Sequence, residues 1–130
     1  TRLQILIKDE NKYEEILNQV LNFFMKKKIY SFLSTLKEYG KGNENYLSFA
    51  ENGLSITLDI PVKDNFFEIY QEFERIISNQ NVKVYLAKDS FMSKNFFKNS
   101  YNKITLFKEI KKKIDPESKL ESIQSKRLGL

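Results

Sequence analysis

Cysteine and histidine are both absent from this 130-residue chain, and each absence removes chemistry. Without cysteine there is no disulfide framework, no thiolate zinc site and no thiol nucleophile. Without histidine the commonest general base and the commonest metal ligand are gone. Glycine is scarce: Gly40, Gly42, Gly53 and Gly129 never reach the spacing of a phosphate-binding loop. Arginine is limited to Arg2, Arg75 and Arg127, so the net charge of +5 is carried mostly by lysine. No apolar run approaches the ~20 residues of a membrane span, and no secretory signal is visible. No carboxylate cluster points to a metal; Asp9-Glu10 and Glu14-Glu15 lie where a helix begins and acid complements its dipole. The missing cysteines leave the compartment open, with a lean to the cytoplasm and room for peripheral attachment to a membrane.

What is present is globular. A 41% apolar and 14% aromatic composition supplies a core for one domain of this length. The chain opens on Thr1 and enters a strand-like run at once, which suggests a piece of a longer protein; a processed small protein is the alternative. Lysine runs at Lys26–Lys28 and Lys111–Lys113 fall at predicted helix ends. They read first as solvated charge and only second as a nucleic-acid or anionic-lipid patch.

Periodicity orders the chain. Leu3–Ile7 predicts a buried strand. Asn11 and Glu14 have capping-box spacing, and Ile16, Leu17, Val20, Leu21 and Phe24 recur as on an amphipathic helix ending near Lys27. Ile29–Tyr39 reads as a strand, Leu47–Phe49 as a short one, and Asn52-Gly53 as a hairpin turn. Leu54, Ile56, Leu58 and Ile60 alternate with Ser55, Thr57 and Asp59, giving a strand with one polar side that Pro61 ends. Asn65 and Glu68 offer a second capping box before a helix marked by Phe66, Phe67, Tyr70, Phe73, Ile76 and Ile77. Val82–Leu86 predicts the last strand. A short helix with Phe91, Phe96 and Phe97 follows, capped by Ser90 or Ser93, then a final helix stopped at Asp115-Pro116. The tail to Leu130 reads as less regular.

The predicted class is α+β. Residues 1–90 form a ferredoxin-like βαββαβ antiparallel sheet with helices on one face, and 91–130 a helical C-terminal extension of the same domain. One sheet face is then free to cover something. The fold itself decides no function. A ferredoxin-like sheet can bind RNA, but KVYLAK offers only Tyr85 as an exposed aromatic and no ribonucleoprotein motif follows. A stand-alone binding or regulatory module is the other alternative. Lys88, just beyond the last strand, would by itself be a solvated lysine.

Four segments change that reading. FLSTLKEYG, LSITLDIPVK, VYLAKDS and KRLGL, in this order, resemble the C-terminal part of FAD-linked oxidoreductases of the decaprenylphosphoryl-ribose oxidase and sugar-lactone oxidase family. The resemblance implies an N-terminal FAD-binding domain absent from this chain. It makes this chain a substrate or cap domain lying over the flavin, in an enzyme passing a hydride from a sugar-like, secondary alcohol to flavin N5. The fragment alone would be inactive, and its partners would be the FAD domain in cis and a sugar-like substrate, which could be lipid-linked, with no nucleic acid. The resemblance assigns Lys88 of the Tyr-x-Ala-Lys-Asp motif as the charge facing flavin and substrate. Tyr85, Lys37, Thr57, Ser55 and Gln4 would line the pocket. Thr57 stands where some members carry cysteine, so no thiol is required; Asn102 and Ile123 depart from the family pattern in the extension. Regular alternation would put Tyr85 and Lys88 on opposite sides, so a strand end or bulge near Ala87 is predicted.

Overall fold

The computed structural model describes residues 1–130. Four strands, β1 (Arg2–Ile7), β2 (Leu33–Tyr39), β3 (Gly53–Asp59) and β4 (Val82–Val84), form one sheet in the order β2-β3-β1-β4. Every neighbouring pair is antiparallel. Helices α1 (Tyr13–Lys26) and α2 (Phe66–Ile77) connect β1 to β2 and β3 to β4. Two split βαβ units therefore interlock, an arrangement compatible with the ferredoxin-like reading. Helices α3 (Lys94–Ser100), α4 (Ile104–Ile114) and α5 (Ile123–Leu128) make up the C-terminal extension.

The sheet's two faces follow from alternation. Leu3 pairs with Leu58 and Ile5 with both Ile56 and Val84, so their side chains share one side. That side meets Ile16, Val20, Phe23 and Phe24 of α1 and Phe66, Ile69, Tyr70, Phe73 and Ile77 of α2 in a cluster of 24 buried residues. Phe73 lies 5.1 Å from Phe24 and 5.7 Å from Phe23, ring to ring, and is fully buried. Aromatic burial of this kind is worth about 1.5–3 kcal/mol per ring. Met92, Phe96, Phe97, Tyr101, Ile104 and Leu128 of the extension join the same core. No helix is long and apolar enough to cross a membrane.

Several local expectations are corrected. Residues 29–32 are not strand: Lys28 takes a left-handed φ of 54° after α1, the Ile29 amide donates back to Phe24, and β2 begins only at Leu33. Leu47–Phe49 forms no strand, and Gly53 starts β3, so β2 and β3 are joined by a long loop rather than a tight Asn-Gly turn. Helix α1 begins at Tyr13; Asp9, not Asn11, supplies a side-chain cap, and it caps a preceding 3-10 turn at Glu10–Lys12. Asn65 sits at the N-cap of α2 without a side-chain bond. The tail is more regular than expected. Helix α5 carries a Ser122/Ser125 capping box and ends on Gly129 at φ 72°. Ser93 caps α3, and α4 ends before Asp115-Pro116, both as the sequence predicts.

Candidate functional site

The second sheet face carries no helix. Gln4 and Thr35 both pair with Thr57, and Lys37 pairs with Ser55, so the side chains of Gln4, Thr35, Lys37, Ser55 and Thr57 share this side with Arg2 and Asp59. Gln4, Ser55, Thr57 and Asp59 are nonetheless buried, because they pack among one another and under longer neighbours. Lys37, on the edge strand β2, is exposed.

Lys88 reaches this face through a change of backbone. Strand β4 stops at Val84, and Leu86–Lys88 form a single 3-10 turn with Tyr85 at its N-cap. The Lys88 amide donates to the Tyr85 carbonyl at 3.0 Å. Residues three apart eclipse one another in such a turn, so Tyr85 and Lys88 come to the same side. The Lys88 ammonium lies 5.8 Å from the centre of the Tyr85 ring. The predicted break in the strand is therefore present, beginning at Tyr85 and taking the form of a 3-10 turn.

The ammonium is held by the sheet. Lys88 Nζ donates to Gln4 Oε1 at 2.8 Å. The Gln4 amide nitrogen in turn donates to Ser55 Oγ at 2.9 Å and Tyr39 Oη at 3.1 Å. This chain of bonds sets the orientation of the Gln4 amide, which presents its oxygen to Lys88 and its nitrogen to the hydroxyls. Lysine has three donors, and Gln4 is the one protein acceptor of Lys88 Nζ. Burial, helped by the nearby charges of Arg2 and Lys37, holds the Lys88 ammonium below the ordinary lysine range, with Asp59 acting in the opposite sense. Asp59 is itself held below the usual carboxylate range by its bond from Arg2, which grips it through Nε and Nη2.

A depression of about 120 Å³ lies between these groups, lined by Arg2, Leu33, Thr35, Lys37, Thr57, Asp59 and Lys88. Around it stand three cations and one carboxylate. A wider hollow of about 610 Å³ continues from Lys88 past Phe32 and Ser90. The far wall is aromatic: Phe49 lies 4.7 Å from Tyr85 and 5.7 Å from Tyr39, ring to ring. The loop carrying Phe49 is pinned by buried Lys83, which donates to the Ser48 carbonyl at 3.1 Å and pairs with Glu51.

The structure brings Lys88, Tyr85, Lys37, Thr57, Ser55 and Gln4 onto one face. Lys88, Gln4 and Ser55 are joined by hydrogen bonds, whereas Lys37 lines the rim with no partner. Arg2, Thr35 and Tyr39 were missed by the sequence reading, although stepping by two from Gln4 and Lys37 would have found them. Phe49 carried no signal, since it reaches the site from an irregular loop.

Comparison with known proteins identifies the relatives of this chain. A family profile for D-arabinono-1,4-lactone oxidase matches residues 8–128. The decaprenylphosphoryl-beta-D-ribose oxidase of Mycolicibacterium smegmatis (strain ATCC 700084 / mc(2)155) is 33% identical over 101 residues, covering 78% of this chain and 22% of that protein. An uncharacterised protein from the mprA 5′ region of Streptomyces coelicolor is 28% identical over 96 residues, covering 73% of this chain and 26% of that one. The chain thus spans about a quarter or less of the relatives it matches. With the profile covering almost its whole length, the chain belongs to the D-arabinono-1,4-lactone oxidase family.

Proposed function

We propose that this chain is the substrate-facing portion of an FAD-linked oxidoreductase that oxidises a sugar-like secondary alcohol. Its open sheet face would close over the flavin. The observation that carries this reading is the Lys88 ammonium, fixed by Gln4 at 2.8 Å on a sheet face with no helix over it. The residues fit such a cofactor's ring edge: a flat polar surface, an aromatic wall at Tyr85 and Phe49, and donors left over on Lys88 and Lys37. They offer no glycine-rich cradle for a dinucleotide's phosphates, which supports FAD being held mainly by another domain in cis. The flavin, when bound, supplies the hydride acceptor.

The chain's own groups do the rest. Lys88 presents a preorganised positive charge where negative charge develops on ring or substrate oxygen. Gln4 fixes its direction. Tyr85 and Phe49 exclude water from one side, and Thr57 and Lys37 offer polar contacts to the substrate. Arg2, Lys37 and Lys88 outnumber Asp59 around the small depression, which favours a substrate bearing an anionic group. That agrees with the phosphoryl-linked sugar in the name of the Mycolicibacterium smegmatis relative rather than with an uncharged lactone. Such a substrate can be lipid-linked.

The test is Lys88→Met in the flavin-loaded protein, followed by rapid mixing with substrate. The expected result is a fall in flavin reduction of about 100- to 1000-fold, the loss seen when one preorganised donor is removed. Flavin content and melting temperature stay as in the parent. Unchanged reduction kinetics would remove Lys88 from the active site.

A further inference from the structure

Lys88 is only as well placed as the turn that bears it. That turn is a single 3-10 turn, and its second internal bond, from the Asp89 amide to the Leu86 carbonyl, is long at 3.3 Å. Short 3-10 segments have poor hydrogen-bond geometry, so the turn needs support from outside. Most of it comes from α5, more than thirty residues further along the chain. Gln124 Nε2 donates to the Leu86 carbonyl at 2.7 Å. Arg127 Nη2 donates to Asp89 Oδ2 at 2.6 Å, and Arg127 Nη1 donates to the Met92 carbonyl. The Asp89 side chain is fully buried, and its other oxygen accepts from the Phe91 and Met92 amides at 3.0 and 2.7 Å. The carboxylate thus ties the residue after Lys88 both to α5 and to the bend that leads into α3.

We infer that Arg127 is a positioning residue for Lys88, acting through Asp89, with Gln124 as a second strut on the same turn. This rests on the functional reading of Lys88 given above. Arginine suits the task because its planar fork serves Asp89 and the Met92 carbonyl at once; a lysine there would keep the charge and lose the two-pronged hold. KRLGL and VYLAKDS, far apart in sequence, meet here through Arg127 and Asp89. They form one device, with α5 held at its own ends by its capping box and Gly129.

The experiment uses two variants, Arg127→Lys and Gln124→Met, and two readouts. In the flavin-free full-length protein, with lysine side chains labelled for NMR, the Lys88 ammonium of the parent is expected to titrate below the ordinary range. In either variant its midpoint is expected to rise toward ordinary lysine as the amine leaves the space flanked by Arg2 and Lys37, while the amide signals of β1 and β3 stay in place. In the flavin-loaded protein Arg127→Lys is expected to slow flavin reduction about 10- to 100-fold, the effect of a small misplacement. It is expected to add no further loss in a Lys88→Met background. A merely structural role would leave the Lys88 midpoint unmoved in a folded variant, or would cost the same in both backgrounds. Either result overturns the inference. Should Arg127→Lys fail to fold, Gln124→Met decides by the same two readouts. A Lys88→Met protein reduced at the parental rate would overturn the functional reading instead, and the titration alone would then judge the positioning.

Discussion

The two faces of the sheet are built from the same strands and differ in what finishes them. On the helix side, Leu3, Ile5, Ile56, Leu58, Val82 and Val84 meet aromatic rings from α1 and α2. Those contacts are non-directional, and many apolar sequences of similar volume would serve. On the open side, Gln4, Ser55, Tyr39 and Lys88 are joined by hydrogen bonds between named atoms. A buried polar network tolerates little change, because each lost partner strands a buried donor or acceptor. The helix side holds the molecule together, and the open side spends some of that stability on placing an ammonium. Lys88 makes the point: a lysine whose range is lowered on folding costs stability at neutral pH, a cost relieved as pH rises toward the ordinary lysine range. Folding thus disfavours its charged form, a perturbation common among functional groups.

The contrast can be broken most severely from the helix side. Phe73 is fully buried between Phe24, Phe23 and Tyr70. Phe73→Ala is expected to cost about 3–5 kcal/mol in urea unfolding, whereas in Lys88→Met the stranded Gln4 oxygen is offset by relief of the disfavoured ammonium and the unfolding midpoint stays near that of the parent. Equal losses in the two variants would erase the distinction between the faces.

A smaller effect is expected where the open face meets its loop. Lys83 has a side chain only 4% exposed and pairs with the more exposed Glu51; its ammonium also lies 5.2 Å from the Tyr101 ring. Lys83→Met is expected to cost about 0.5–1.5 kcal/mol, the net worth of an intramolecular hydrogen bond, because the partners left behind, Ser48 and Glu51, can reach water. It should also speed amide exchange along the Phe49 loop while β1 stays protected. Uniform exchange throughout the sheet would show that the loop is not separately pinned.

The smallest effect compares one carboxylate from each side. Burial among α2 and α3 pushes Glu74 above the usual carboxyl range, against the Ser93 amide that donates to it at 2.6 Å. Arg2 holds Asp59 below that range. Linkage then gives opposite signs. Glu74 favours folding while its proton is on, and that contribution is lost as pH rises from the ordinary carboxyl range through its raised value. Asp59 favours folding above the ordinary range, and its contribution is lost as pH falls through its lowered value. Glu74→Gln is therefore expected to match the parent near pH 4 and to melt higher at neutral pH. Melting temperatures that differ equally at both pH values would reject the assignment.

Much of the helix side was legible beforehand. Apolar positions at 3.6- and 2-residue spacing found both long helices and the central strands, because core burial imposes those periods whatever the partners are. The irregular parts were not. The expected strand at Leu47–Phe49 is a loop whose Phe49 is buried against Tyr85 and Tyr39, a contact that no local pattern announces. The capping boxes at Asn11 and Asn65 had the right spacing and lack the expected bonds, because cap spacing permits a bond without requiring one. Of the open face, alternation exposed the polar row Ser55, Thr57 and Asp59, and the family resemblance named Gln4, Lys37, Tyr85 and Lys88.

The sequence by itself determined which side of β3 is apolar, where α1 and α2 run, and that no cysteine or histidine chemistry is available. These depend on composition and on neighbours a few residues away. Only the tertiary structure decided that Tyr85 and Lys88 share a face, that Gln4 holds the ammonium, and that Arg127 braces the turn beneath it. Those facts turn on one short 3-10 turn and on hydrogen bonds between residues as many as 84 positions apart. Spacing along a chain cannot encode an angle between side chains that meet only after the sheet and its extension have closed.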